Sequence, residues 1–72
     1  ATLRYQAEEI RAMEFSKTIT KMEGLTIQEA ERLNSMTKSL VKKLLHSPTK
    51  ALRDRNDESF TQAARELFGL DE

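Results

Sequence analysis

At 72 residues the chain is large enough for one small domain, and a domain of that size hides only about 60% of the surface its unfolded form exposes. With no cysteine and a single histidine, His46, neither a disulfide nor a zinc site is available to support so small a core, which leaves association with another chain. Twelve Lys+Arg balance twelve Asp+Glu, so net charge points to neither nucleic acid nor a membrane surface, and no apolar run nears the roughly 20 residues that span a bilayer. Two glycines and one proline speak for long helices rather than a turn-rich β fold. The absence of cysteine fits a reducing compartment. Ala1 stands where an initiator methionine would, which suggests a truncated start.

The expected fold is all-α: a single helical domain over residues 1–72, built as a helical hairpin with shorter C-terminal helices and assembling as a dimeric helical bundle. The first helix is expected over residues 3–22. Leu3, Ala7 and Ile10 form one stripe at i, i+4, i+7, and Phe15, Ile19 and Met22 form another with the same spacing. At about 100° per residue the two stripes lie on different sides, so the helix either meets one neighbour early and another late or carries one irregular core face. Gly24 is suited to the left-handed conformation that ends a helix, with Leu25 folding back. Thr26 and Glu29 have the spacing of a capping box that opens the next helix.

The second helix is expected over residues 27–45. Leu33, Thr37, Leu40 and Leu44 follow a 4-3-4 seam, which Val41 and Leu45 widen to nearly half the circumference. Leu33, Met36, Leu40, Val41, Leu44 and Leu45 are accordingly candidates for a dimer interface or for intrachain core. Ser47-Pro48 reads as a break, because proline disfavours helix in the residue before it and suits the first turn of a new one. A short third helix over residues 48–55 follows from that, capped by Ser47. Asn56-Asp57-Glu58-Ser59 is a polar turn with several possible caps. A last helix over residues 58–68 carries Phe60, Ala63, Ala64, Leu67 and Phe68 at i, i+3, i+4, i+7, i+8, with Gly69 as its stop and Leu70 packing back.

Nothing in the chain assembles catalytic chemistry. There is no cysteine nucleophile and no glycine-rich phosphate loop. Glu8-Glu9 and Asp71-Glu72 are sequence neighbours, which point apart on a helix and read as solvated surface rather than an acid/base pair. His46, placed in the last turn of the second helix, reads as a cap for its carbonyls. No catalytic, cofactor-binding or metal-ligating residue is assigned. Charge is uneven locally. Residues 38–55 hold six cations against Asp54, net +5, and residues 56–72 hold five anions against Arg65, net −4. Lys38, Lys42, Lys43, Lys50 and Arg53 are candidates for an RNA-backbone contact. No aromatic residue interleaves them to stack bases, and the plainer reading is a solvated basic face balanced by acidic residues.

Ser39 to Arg53, SLVKKLLHSPTKALR, resembles the C-terminal domain of glutamyl-tRNA reductases, whose specific element is LLH-x-PT-x-x-LR. Leu3-Arg4, Ala7-Glu8, Ile10-Arg11 and Glu14 are similar to an earlier element of that domain. Gly24-Leu25 matches its hairpin turn, and Ala64 to Leu70 is similar to its usual chain end. The resemblance covers about residues 3–70. Lys42 departs from the family's usual asparagine and Phe15 from a common leucine; neither conflicts with the fold. The resemblance implies a dimerisation domain whose catalytic domain, with a cysteine nucleophile, and NADPH-binding domain lie N-terminal to this region. It implies an enzyme that reduces glutamyl-tRNA to glutamate-1-semialdehyde for tetrapyrrole (porphyrin) synthesis, in the cytoplasm or a plastid stroma. Its partners would be a second copy, glutamyl-tRNA and the downstream aminomutase, with no membrane. Two other functions compete: a helical RNA-binding module using residues 38–55, and an adaptor that docks a regulatory protein through the last helix.

Overall fold

The computed structural model describes residues 2–55 and 57–70. It contains three helices: α1 (Leu3–Lys21), α2 (Ile27–Asp54) and α3 (Glu58–Phe68). Each start is capped by a side chain. The Thr2 hydroxyl accepts from the Tyr5 amide at 3.1 Å. Thr26 and Glu29 close the reciprocal capping box at 3.0 Å each way. The Asp57 carboxylate accepts from the Phe60 amide at 2.6 Å. These contacts satisfy amides that a helix start leaves without intrahelical partners.

The ends are less alike. Gly69 adopts φ 66°, and the Leu70 amide reaches back to the Arg65 carbonyl at 2.8 Å, with Leu70 half-buried. This is the glycine stop expected from the sequence. α1 instead ends one turn earlier than its glycine. Met22, in extended conformation, closes it by donating to the Ile19 carbonyl at 3.1 Å, and Gly24 (φ 73°) turns the connecting loop.

The break expected at Ser47-Pro48 does not occur. α2 runs through Pro48 as one helix of 28 residues, about 42 Å long, so residues 48–55 form no separate helix and Ser47 caps nothing. Proline removes one amide donor, leaving the Leu44 carbonyl without its usual partner. Val41, Leu45, Pro48 and Leu52 are all half-buried at helical spacing, and this continuous packed row holds the helix together across that defect. Two consequences follow. His46 lies mid-helix and exposed, eight residues from the end, and cannot cap it. The last turn carries Arg53 instead, and the Arg55 amide closes it on the Ala51 carbonyl at 2.9 Å.

α1 and α2 form an antiparallel hairpin. Besides Gln6, the residues of α1 turned inward are Leu3, Ala7, Arg11, Phe15 and Ile19, one every four positions. Such a row drifts by about 40° per step, so it winds round the helix and joins the two apolar groups that looked separate in the sequence. Ile10 and Met22 stay outside it, 53% and 43% exposed. The winding lets α1 meet the C-terminal half of α2 and α3 at Leu3, and the N-terminal half of α2 at Phe15 and Ile19. α3 folds back to cover that first junction. There the Gln6 side-chain amide donates to the Phe68 carbonyl at 2.9 Å, and Arg55 stacks over the Phe60 ring at 4.2 Å.

The result is a rod of 50 × 19 × 13 Å with a Cα radius of gyration of 15.4 Å, against about 11 Å for a compact domain of this length. Among the described residues, Leu3 and Ala64 are the only ones buried, and each keeps 8% of its exposure.

Candidate association surface

α2 presents two neighbouring apolar rows. Val41 and Leu45, with Thr37 between Leu33 and Val41, face the hairpin and are half-buried, as is Leu33. Met36, Leu40 and Leu44, at strict i, i+4 spacing, flank that row at the edge of the hairpin and are 49%, 49% and 67% exposed. The six candidates that the sequence left undivided thus fall into two sets within one chain. Beside the outer row lies a groove of about 450 Å³ between the helices. One wall is formed by Met36, Leu40 and Leu44, the other by Ile10, Phe15 and Ile19.

The floor of this groove holds a cation. The Arg11 side chain is 7% exposed. Its Nε and Nη2 donate to the two Glu8 carboxylate oxygens at 2.9 and 2.6 Å. Its Nη1 donates to Asn34 Oδ1 at 2.8 Å and to Thr37 Oγ1 at 3.1 Å. The Thr37 hydroxyl in turn donates to the Asn34 carbonyl at 2.9 Å. The two hydrogen bonds from Arg11 hold the Glu8 carboxyl below its ordinary range, and Glu8 raises Arg11. Sequence reasoning missed this residue as part of the interior because it is charged. The signal was present: Arg11 fills the i+4 position between Ala7 and Phe15.

Other expected features are placed as follows. Lys38, Lys42, Lys43, Lys50 and Arg53 are all exposed but do not share one stripe. Lys38, Lys42 and Arg53 lie on one side of α2, with Lys43 and Lys50 about 100° round. Acidic groups interrupt the first set. Glu8 shares a shallow cleft with Lys38 and Lys42, and Asp54 pairs with Arg53 at 3.7 Å. Asp71 and Glu72, expected to help balance this face, lie outside the described residues. A second cleft of about 480 Å³ opens where the three helices meet, with Arg4, Arg53 and Arg65 among its lining residues. On α3, Leu67 is 79% exposed, while Phe60 and Phe68 are half-buried. Glu8 and Glu9 do diverge: Glu8 binds Arg11, and the Glu9 carboxylate one turn from Tyr5 raises the Tyr5 hydroxyl's pKa. Among the described residues no group of acidic, histidine or cysteine side chains could hold a metal ion, and no helix is long and apolar enough to cross a membrane.

An all-helical hairpin with an almost empty core and a large apolar groove on one flank is a module for association. Comparison with known proteins gives that class its family. The family model described as glutamyl-tRNA(Glu) reductase, dimerisation domain, matches residues 1–70, and the chain belongs to that family. Curated glutamyl-tRNA reductases from Thermodesulfovibrio yellowstonii, Pelobacter propionicus and Syntrophotalea carbinolica are 36%, 39% and 35% identical to it over 72 residues. These matches cover 97%, 94% and 94% of this chain but only 17%, 16% and 16% of the relatives. The chain therefore spans about one-sixth of the length of the enzymes it is similar to. No solved structure matches it.

Proposed function

We propose that this chain pairs with a second copy of itself through the outer row of α2 and the adjoining groove, and so joins two subunits of a glutamyl-tRNA reductase. The observation that carries this reading is Met36, Leu40 and Leu44 standing 49% to 67% exposed on a chain in which, among the described residues, only Leu3 and Ala64 are buried. Its surface is 6006 Å², where a compact monomer of 8.3 kDa would expose about 4,600 Å². The excess, about 1,400 Å², exceeds the roughly 800 Å² that each partner contributes to a standard interface. A two-fold arrangement suits the surface, since one patch then serves both copies. Leu33, Val41 and Leu45 support the seam from within the hairpin.

In that setting the module's contribution to catalysis is geometric: it holds two catalytic arms at a fixed separation. The parent enzyme, on this reading, uses NADPH to reduce glutamyl-tRNA to glutamate-1-semialdehyde for tetrapyrrole synthesis, in the cytoplasm or in a plastid stroma. The space between the arms would admit the tRNA, or the aminomutase that takes the unstable product. Sedimentation of the chain over a dilution series tests the pairing. A dimer that dissociates on dilution is expected, and Leu40→Asp with Leu44→Asp should give monomers or unfolded chain. A folded dimer surviving that double change, or a well-folded monomer of the parent chain at high concentration, would overturn it.

A further inference from the structure

We infer that the flank of the hairpin opposite the apolar groove is a site for an RNA backbone, formed by Arg4, Lys38, Lys42, Arg53 and Arg65. The inference rests on the reading above only in that the parent enzyme acts on a tRNA; it does not need the pairing.

The set is drawn from all three helices, so no stretch of sequence displays it. Arg4 of α1, Arg53 of α2 and Arg65 of α3 line the cleft of about 480 Å³ where the helices meet. Arg4 also lines the neighbouring cleft of about 250 Å³, together with Lys38 and Lys42. The shared arginine joins the two clefts into one basic flank. Lys43 and Lys50, grouped with these cations by sequence, line neither cleft, because they lie about 100° round α2. Along α2 the flank runs from Lys38 to Arg53, about 22 Å at 1.5 Å per residue.

The neighbouring carboxylates do not cancel this charge. Among the described residues lining the two clefts, Glu8 is the only acidic one, and Arg11 holds both its oxygens. Arg11 thereby neutralises Glu8 and leaves Lys38 and Lys42 their charge. Asp54 meets Arg53 at 3.7 Å, but the two side chains are 56% and 71% exposed, and so solvated a pair gains little. Pairing through the groove leaves the flank uncovered. On α2, Lys38 follows Met36 by two residues and Lys42 follows Leu40 by two, which places each lysine about 160° round from the apolar row.

The layout selects the ligand. A small anion would meet one or two of these cations. Cations strung over about 22 Å match a chain that carries charge at regular intervals, as a phosphodiester backbone does. Three of them are arginines, whose planar fork takes two phosphate oxygens at once. Thr2 and Thr49 bring hydroxyls to the same cleft, a further kind of phosphate contact. Among the described residues lining the clefts none is aromatic, so bases find no stacking platform. The contact is therefore with the backbone and independent of base sequence.

The test titrates the full chain with an unmodified tRNA(Glu) transcript between about 50 and 200 mM salt. Five contacts at about 0.7–0.9 each give a log–log salt slope of about −3.5 to −4.5. Each contact removed should weaken binding about five- to eightfold at about 0.1 M salt. Arg4→Gln with Lys42→Gln should then bind about 25- to 60-fold more weakly, with the slope reduced by about 1.4–1.8. Lys43→Gln with Lys50→Gln removes the same charge from outside the flank and should cost less than about threefold, since screening blunts its reach. Equal losses for the two pairs overturn the inference, as does a transcript that fails to bind at about 50 mM salt. Tighter binding of poly-L-glutamate than of the transcript also overturns it, in favour of an acidic protein surface. All four replaced side chains are exposed; should either variant fail to fold, the unmodified chain decides. Its amide resonances at Arg4, Lys38, Lys42 and Arg53 should shift on adding the transcript, and larger shifts at Lys43 and Lys50 overturn the site. Sedimentation of the same samples separates the two readings. A dimer that ignores the transcript refutes this inference alone, and a monomer that binds it refutes the pairing alone.

Discussion

Replacing Leu40 and Leu44 together with alanine isolates the contribution of the outer row of α2. Their exposures are 49% and 67%, so about half of one side chain and two-thirds of the other are left for a partner to cover. Full burial of a leucine is worth about 2 kcal/mol, which assigns about 1 kcal/mol to Leu40 and about 1.3 kcal/mol to Leu44. A two-fold interface contains each residue twice, and the double variant should lose about 4–5 kcal/mol of association. At 1.4 kcal/mol per tenfold change this is a dissociation constant weakened about 1,000-fold or more. Alanine is a better helix former than leucine, so α2 itself is not penalised and the loss is one of pairing. Sedimentation equilibrium over a dilution series reads the constant directly. Glu31→Ala, an exposed change on another side of α2, should shift it by no more than about twofold. A double alanine variant that dimerises as tightly as the parent would refute the assignment of this row to the interface.

Three further outcomes follow from the helix ends and from Pro48. Gly69→Ala should destabilise the chain by about 1 kcal/mol in thermal unfolding, through backbone conformation alone, since φ is 66° and an added Cβ would meet nothing within 4 Å; Gly69→Asn should recover part of the loss. Pro48→Ala restores an amide to the Leu44 carbonyl and should raise the unfolding midpoint, with about 1–3 kcal/mol gained; a lowered midpoint would mean that the proline ring's packing outweighs the missing hydrogen bond. Asp57, held below the ordinary carboxylate range first by the Phe60 amide and then by Arg55, contributes stability that is present above its unfolded pKa and lost as pH falls through its lower folded value. Acid unfolding should therefore set in below about pH 4, and Asp57→Asn, which keeps the cap but cannot titrate, should flatten that limb; an unchanged limb would remove Asp57 from the account.

The features legible in the sequence were those that local chemistry decides. Thr26 and Glu29 announced a helix start, Gly69-Leu70 a helix end, and the spacing of Phe60 to Phe68 an amphipathic helix, because each depends on residues within one or two turns. Pro48 misled because the local rule is outweighed at a distance: Leu45 and Leu52 pack on either side of it and carry the helix across. Arg11 was passed over because a charge is ordinarily solvated, and only the fold brings Asn34 and Thr37, 23 and 26 residues away, to its guanidinium. The division of Leu33 to Leu45 into inner and outer rows has the same origin. Both rows are plain in the sequence, but only the packed hairpin shows that Leu33, Val41 and Leu45 face α1 and Met36, Leu40 and Leu44 flank them.

A rod in which, among the described residues, only Leu3 and Ala64 are buried has little to hold it in shape alone. On the pairing proposed above, acquiring a shape and acquiring a mate become a single thermodynamic event, and the unfolding temperature should climb with protein concentration. A subunit linked through this piece would have no durable solitary form to exchange between pairs. Mixed pairs would arise chiefly while chains are newly made, and far less by later trading.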